Sequence, residues 1–436
     1  LRSELKLKSG DFCQKKMVLR AISKLFSRKA PLVVSRSIHA STFSACGNDA
    51  KEFNVLSFGD GSQGALGIPA SLAGHAVDVY EPTPIPGLPG DIVGISAGHY
   101  HSLAVTSHGQ LWAWGRDDES QLGRGSSSPR EAWNEPKRVE CLNGIKVISA
   151  SASGVVSAAI GNDGSLWVWG RSKRGQLGLG DGVIESLSPS RVETLAGERI
   201  IKVSFGWGHA LALSEDGKLF GWGYSADGRI GEIGGAIASS LESNDDGKLI
   251  PENMGKEKDM PIVWTPTMVE EFSDRNVIDI ACGLDHSLIL CGDGSTHSSG
   301  SNVYGQLGRK SKDIGLSPVD CKNVCVMSIS AGLGHSFAIY EVDSRGEDAQ
   351  TGVLSWGWNV RSQLGRGGPE SYPLEVEGLA GENPVAVSGG RVHSICLTRK
   401  KEAWVWGCGK NGRLGLGDSA DEGKPVLIDC LCGHDV

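Results

Sequence analysis

Several sequence features that signal common functions are missing from this chain of 436 residues. No apolar run approaches the roughly 18 residues that a membrane-spanning helix needs. None of the 11 cysteines forms a C-x-x-C pair, and no histidine cluster completes a zinc pattern, so free thiols in a reducing compartment are expected. No nucleophile elbow or paired-carboxylate motif stands out. We therefore expect no membrane span, no metal or cofactor, and no enzymatic activity.

Acidic residues are also missing from the segment between Met17 and Asn48, which contains five arginines and lysines and six serines. This composition is typical of an organellar transit peptide. In 19-LRAISKLF-26 the apolar side chains share one helical face, as an import receptor requires. We predict that residues 1–45 are an N-terminal extension and mitochondrial transit peptide, with Met17 as the start of translation.

Three residues indicate where this peptide would be removed. Arg36, Ile38 and Ser41 fit the Arg-x-hydrophobic-x-x-Ser spacing of two-step mitochondrial cleavage, which would end near Ala45. The composition leaves chloroplast import open as a second location, and a disordered basic tail that binds nucleic acid as a third reading. The predicted location is the mitochondrial matrix.

The charge is divided unevenly along the chain. Residues 1–45 carry 10 basic and 2 acidic residues, whereas the remainder carries 33 basic and 49 acidic residues, a net charge of −16. An acidic body repels phosphates at long range. Direct nucleic-acid binding is therefore not expected, unless a local basic patch supports it.

An aromatic-Gly pair followed by Leu-Gly or Ile-Gly recurs along the chain. Six copies are well formed and one, 299-SGSNVYGQLG, has lost its aromatic residue. Their first glycines lie 56, 55, 53, 77, 57 and 50 residues apart. These glycines are Gly59, Gly115, Gly170, Gly223, Gly300, Gly357 and Gly407. A period near 50 residues indicates a repeat architecture.

A second element, Gly-x-x-His followed by an apolar strand, precedes most copies. It contains His101, His209, His286, His335 and His393. At 154-GVVSAAI no histidine occurs, and we place Ser157 at its position. Asp-Gly turns between the two elements predict hairpins. A histidine that recurs once per repeat is interpreted as structural, through a buried hydrogen bond to a neighbouring strand.

A sheet of this size cannot bury both of its faces alone, so neighbouring units must stack radially. The sequence therefore predicts an all-β fold, a seven-bladed β-propeller over residues 53–430. Only six Gly-x-x-His-type strands accompany the seven aromatic-Gly elements. We accordingly expect an incomplete last blade, lacking about twenty residues; an aberrant but closed seventh blade is the alternative.

These repeats resemble those of the regulator of chromosome condensation family, including its plant ultraviolet-B photoreceptor branch, over about residues 53–430. Family members with a transit peptide are associated with organellar RNA processing and ribosome-linked GTPases. The resemblance implies a scaffold that binds proteins of the organellar RNA-processing or ribosome machinery, in transcript processing or splicing. The alternative that it implies is guanine-nucleotide exchange on a small organellar GTPase.

The photoreceptor branch uses Gly-Trp-Arg-His-Thr segments in three successive blades. Here only 206-GWGHA keeps the tryptophan, Trp207, and Gly208 replaces the arginine. The equivalent positions elsewhere hold His99, Leu284, Leu333 and Arg391. Because the tryptophan cluster is missing, the resemblance does not extend to ultraviolet-B sensing.

The spacing of 77 residues contains an acidic insertion at 232–262. A loop of this length is either functional or disordered. Its carboxylates are the candidate partner-binding residues: Glu242, Asp245, Asp246, Glu252, Glu257 and Asp259.

The Gly-rich segment 170-GRSKRGQLGLG lacks a Gly-Lys-Ser/Thr ending and is not assigned to phosphate binding.

Overall fold

A computed structural model describes most of the repeat region. The described residues are 40–44, 55–69, 77–126, 129–231, 261–310, 315–321, 324–342 and 350–433. Within these ranges the regular structure consists of β-strands and single 3₁₀ turns. The 3₁₀ turns are Arg130–Ala132, Glu140–Leu142, Glu193–Leu195, Ala226–Gly228, Glu270–Phe272, Lys410–Gly412 and Asp429–Leu431.

Six antiparallel sheets have four strands each, ordered consecutively from the inner to the outer strand. We call them blades one to six. Blade one comprises β4 Ile92–Ala97, β5 His101–Thr106, β6 Leu111–Gly115 and β7 Lys137–Arg138. Blade two comprises β8 Val147–Ala152, β9 Val156–Gly161, β10 Leu166–Arg171 and β11 Glu185–Arg191.

The next four blades repeat this order. Blade three comprises β12 Ile200–Phe205, β13 His209–Ser214, β14 Leu219–Tyr224 and β15 Ile262–Met268. Blade four comprises β16 Val277–Cys282, β17 His286–Cys291, β18 Thr296–Gly300 and β19 Ser317–Pro318. Blade five comprises β20 Cys325–Ala331, β21 His335–Val342, β22 Gln350–Gly357 and β23 Leu374–Glu375. Blade six comprises β24 Pro384–Gly389, β25 His393–Thr398, β26 Ala403–Gly407 and β27 Glu422–Leu427.

A seventh sheet has only three strands, β1 Ala40–Ser44, β2 Val55–Gly59 and β3 Val79–Pro84. On one side Phe58 packs with residues of blade six, and on the other side Val55 packs with residues of blade one. The fold is thus an all-β propeller with six four-stranded blades, and the prediction of seven blades is corrected. The physical reason is that the described residues contain only six inner hairpins of the Gly-x-x-His type that can build complete sheets.

The aromatic-Gly motif is explained by contacts between blades. In blade two the indole Nε1 of Trp169 donates a 2.8 Å hydrogen bond to the Gln121 carbonyl, which belongs to the loop of blade one. Gly123 lies against the same indole ring, since a Cβ built on it would be 2.7 Å from Nε1. The Gln-Leu-Gly segment of one repeat is therefore shaped to receive the tryptophan of the next repeat.

The recurrent histidines complete this interface. His101 Nε2 lies 2.7 Å from the Ser157 hydroxyl, which itself donates to the Gln121 carbonyl at 2.7 Å. Because a carbonyl only accepts, the serine proton is committed to Gln121, and Nε2 of His101 must carry the donated proton. Equivalent histidine–serine pairs join blades three to six: His209–Ser287, His286–Ser336 and His335–Ser394. The structural interpretation is confirmed for these four histidines.

One interface replaces the polar pair by an apolar pair. The strand register aligns Val156 with Gly170 as it aligns His101 with Gly115, so Val156 occupies the histidine position. The placement of Ser157 at that position was wrong, because Ser157 is the serine that receives His101. In blade three Ala210 stands at the serine position, and both Val156 and Ala210 are fully buried in one cluster. Histidine and serine are thus lost together, so that no buried polar group is left unpaired.

The cysteines do not all match the expectation of free thiols. Eight described cysteines are free: Cys141, Cys282, Cys291, Cys321, Cys396, Cys408, Cys430 and Cys432. Cys325 is disulfide-bonded.

We predict that Ser157→Ala lowers the free energy of unfolding by about 1–3 kcal/mol, because the buried Nε2–H of His101 loses its acceptor. Chemical denaturation of the purified protein measures this difference. Ser273→Ala removes an exposed hydroxyl and should change stability by no more than about 0.5 kcal/mol. Equal effects of the two substitutions would contradict the assigned role of the histidine–serine pair.

Stability should also depend on pH through these rings. Burial lowers the pKa of His101 and of His335 from 6.5 to about 3. Below pH 6.5 these histidines bind protons in the unfolded chain but not in the folded chain, so acid favours unfolding. We expect the unfolding free energy to fall by about 1.4 kcal/mol per pH unit for each such histidine as the pH drops from about 6 toward 4. Denaturation curves recorded at several pH values give the unfolding free energy of wild type and of His101→Gln. The unfolding free energy of the variant should depend less steeply on pH, and an identical pH dependence would refute this linkage.

Candidate functional site

The Gly-x-x-His turns and the loops after the Trp-Gly pairs lie at the same end of the propeller. In blade one His101, at the start of β5, pairs with Gly115, at the end of β6. The chain segments on either side of this pair therefore emerge together. The same pairing recurs between His209 and Gly223 and between His335 and Gly357. We call this end the His-turn face.

Backbone hydrogen bonds join the turns of the His-turn face to one another. Each amide donates to a carbonyl of the following blade at 2.8–3.0 Å: His99 to Ser153, Trp207 to Leu284, Leu284 to Leu333 and Leu333 to Gly390. These bonds run along the mouth of the central channel, from blade one to blade two and from blade three to blade six. The side chains that project from the turns are consequently held on a rigid rim.

A cluster of aromatic, apolar and cationic side chains lies at this mouth. Trp207 is its most prominent member, with 41% of its surface exposed. The ring of His99 meets Trp207 edge-on at 5.4 Å between centroids, and the Arg174 guanidinium lies 6.0 Å from the indole centroid. We define the channel-mouth surface as His99, Arg174, Trp207, Leu284, Leu333 and Arg391.

Gly208 makes room for Arg174. A Cβ built on Gly208 would lie 2.8 Å from Cδ of Arg174 and 3.1 Å from Cβ of Tyr224. The Arg174 guanidinium also lies 5.7 Å from the Tyr224 ring, so it sits between two aromatic side chains. Any larger residue in place of Gly208 would displace the arginine from this position.

A buried arginine supports the surface from below. Arg229 is only 3% exposed, and its guanidinium contacts the carboxylates of Asp285 and Asp227. It also lies 4.8 Å from the Tyr224 ring centroid. Asp285 belongs to the turn that follows Leu284, so this ion pair fixes the turn of blade four to the loop of blade three.

The two arginines of the surface differ from Arg229. Neither Arg174 nor Arg391 forms an ion pair with a carboxylate in the described parts of the chain. Arg391 is exposed and Arg174 is half-buried. The channel-mouth surface therefore carries positive charge on a body that is acidic as a whole.

The sequence-predicted partner-binding carboxylates lie outside the described residues. These are Glu242, Asp245, Asp246, Glu252, Glu257 and Asp259. The described chain that follows them begins at the His-turn face, where the Ser225 amide donates to the Pro261 carbonyl at 2.9 Å. The insertion is thus connected to blade three beside Tyr224.

Sequence reasoning did not identify the channel-mouth surface. In the sequence Trp207 stands out only as the remnant of a missing tryptophan cluster, and Arg174 lies in the Gly-rich segment that has no assigned role. The signal available was that Trp207 occupies the same repeat position as Leu284 and Leu333. Within the described ranges no group of metal-ligating side chains occurs, and no helix has the length and apolarity to cross a bilayer.

The chain belongs to a family of propeller proteins. The family described as RCC1-like domain matches residues 54–436, nearly all of the repeat region. The ultraviolet-B receptor UVR8 of Arabidopsis thaliana is 32% identical over 384 residues, which cover 86% of this chain and 78% of the receptor. Human RCC2 is 30% identical over 330 residues, covering 73% of this chain and 59% of RCC2.

Other similarities concern a small part of the relative or the fold alone. Human HERC2, an E3 ubiquitin-protein ligase, is 26% identical over 79% of this chain, but this chain spans only 5% of HERC2. Yeast RCC1 (Prp20), solved with Kap60, superimposes with a TM-score of 0.69 at 23% identity, covering 91% of this chain and 84% of that chain. Human WBSCR16 superimposes with a TM-score of 0.65 at 23% identity, over 85% and 87% of the two chains.

We predict that Gly208→Ala displaces Arg174 from Trp207, because the added methyl group collides with the arginine side chain. In protein labelled with 5-fluorotryptophan, the ¹⁹F resonance that disappears in Trp207→Phe identifies this residue. That resonance should shift in Gly208→Ala and in Arg174→Ala. Gly423→Ala, which adds a methyl group where no atom lies within 4 Å, should leave it in place. An unshifted resonance in Gly208→Ala would show that Arg174 does not depend on Gly208.

Proposed function

We propose that this protein is a non-enzymatic platform that binds a protein partner through the channel-mouth surface and supports organellar gene expression in mitochondria. The observation that carries the proposal is Trp207, 41% exposed beside Arg174 on a rim fixed by backbone hydrogen bonds. Tryptophan, tyrosine and arginine are the residues most enriched among those that dominate binding energy at interfaces. A pre-organised rim reduces the entropy that such binding costs.

The three-stranded sheet contributes to this proposal. We propose that it takes the place of a seventh blade, because Phe58 packs against Gly415 as the indoles do elsewhere, and the Trp114 indole of blade one donates to the Ala65 carbonyl at 2.9 Å. A ring completed in this way holds the turns around the mouth at fixed separations. The rim can then act as one surface and not as independent turns.

The mitochondrial part of the proposal is supported by residues 17–48, which are rich in arginine and serine and free of acidic residues. We propose the matrix as the location, with the chloroplast as the alternative. The proposed partners are proteins of the RNA-processing or ribosome machinery. We also propose that the acidic insertion adds a second contact, since the described chain that follows it pairs with Tyr224 through Ile262.

Two alternatives have weaker support. Prp20p from Saccharomyces cerevisiae has binding properties toward Gsp1p and histones. At 23% identity, the similarity to that chain supports a shared fold and not a shared partner. Nucleotide exchange on a small organellar GTPase therefore stays a second proposal. Ultraviolet-B sensing is disfavoured, because the mouth positions beside Trp207 hold His99, Leu284, Leu333 and Arg391 in place of a tryptophan cluster.

We expect Trp207→Ala to reduce recovery of the principal partner at least tenfold when the tagged full-length protein is purified from mitochondria, because truncation removes the central exposed aromatic group. Quantitative mass spectrometry of co-purified proteins measures the loss. Leu187→Ala is the matched control, since Leu187 is also exposed, at 47%, but lies in the outer strand of blade two.

The same experiment separates the alternatives. RNA-processing or ribosomal proteins that depend on Trp207 would support the platform. A stoichiometric GTPase, with nucleotide release accelerated by the purified protein, would favour exchange instead. Unchanged partners in Trp207→Ala would place the interface elsewhere, and absence of the protein from mitochondria would overturn the proposed location.

A further inference from the structure

We propose that the partner occupies the channel-mouth surface with an acidic peptide segment, in which carboxylates flank a large aliphatic side chain. This inference rests on the proposed function, because it specifies the chemistry of the partner at the same surface. It follows from three properties of the mouth: its cations, its apolar residues and the charge of the surrounding body.

The cations favour an anionic group. Arg174 and Arg391 lie on the mouth without a carboxylate partner among the described residues, whereas the neighbouring Arg229 is neutralised by Asp285 and Asp227. A guanidinium forms its strongest hydrogen bonds with carboxylate or phosphate oxygens. Arg174 is in addition held between Trp207 and Tyr224, so little side-chain entropy is lost when it binds.

The apolar residues favour an aliphatic side chain between the anionic groups. Leu284 and Leu333 project from neighbouring turns that are joined by a 2.8 Å backbone hydrogen bond, and Trp207 follows in the same series. All three line one pocket with both arginines. An aliphatic group placed there would pack against two leucines and one indole, and this contact would remove it from water.

The body charge favours a peptide over a nucleic acid. A nucleic-acid strand brings one negative charge per nucleotide along its whole length, and residues 46–436 carry a net charge of −16 that repels it. A peptide needs only two or three carboxylates, confined to the mouth. The indole face is also partly covered by Arg174, and the adjoining positions are leucines and not further aromatic platforms for bases.

The experiment uses the full chain labelled with 5-fluorotryptophan and three probes of similar length. The probes are a nine-residue peptide with Asp and Glu on both sides of a central Leu-Leu, the same peptide with Lys for each acid, and decauridylate RNA. The ¹⁹F resonance of Trp207 reports binding. We expect the acidic peptide to shift it with a Kd at least tenfold below those of the lysine peptide and the RNA.

Two variants test the assigned contacts. Arg174→Gln with Arg391→Gln should raise the Kd of the acidic peptide at least tenfold. Lys146→Ala with Arg191→Ala removes two exposed cations away from the mouth and should leave it within twofold. Equal affinity for the acidic and lysine peptides, or no loss in the arginine variant, would overturn the inference. Stronger binding of the RNA would overturn it as well and assign the surface to nucleic acid.

Failure of this inference is distinguishable from failure of the proposed function. If no peptide shifts the resonance but Trp207→Ala still loses its partner, the surface binds a protein of different chemistry. If the partner is retained in Trp207→Ala, the proposed interface itself is wrong, whatever the peptides do.

Discussion

The structure depends on one interaction between neighbouring blades, in which a single backbone carbonyl receives two buried donors. At the first interface the Gln121 carbonyl accepts from the Trp169 indole and from the Ser157 hydroxyl, and the serine in turn accepts from His101. Each of these groups would be costly to bury alone. Because each donor and its acceptor belong to neighbouring repeats, neither blade satisfies these polar groups without the other.

This constraint also explains where the repeats vary. Between blades two and three the histidine and the serine are replaced together, by Val156 and Ala210, and both side chains enter one apolar cluster. Replacing both partners of a buried hydrogen bond by apolar groups can be nearly neutral in stability, whereas replacing one partner leaves the other buried without a hydrogen bond. The pair and not the single residue is therefore the unit that the propeller preserves.

The same rigidity makes the channel mouth suitable for binding. The turns that precede the histidines of blades one, three, four and five are held by the interface beneath them and by backbone hydrogen bonds to the next turn. The side chain at their first variable position takes no part in the histidine–serine pair, and in this chain that position carries His99, Trp207, Leu284, Leu333 and Arg391. A fixed rim with a variable residue in each blade allows one fold to present different surfaces.

Sequence alone determined the repeat, the Trp-Gly strands and the structural histidines, because these features are local and recur with a period near 50 residues. Tertiary structure decided what no single repeat contains. Arg174 meets Trp207 from the neighbouring blade, and Val156 is matched to Ala210 across an interface. The count of complete blades was likewise decided by which strands pair with Val55–Gly59. Such contacts depend on how the repeats stack. The stacking is fixed by packing between blades and not by the local sequence pattern of one repeat.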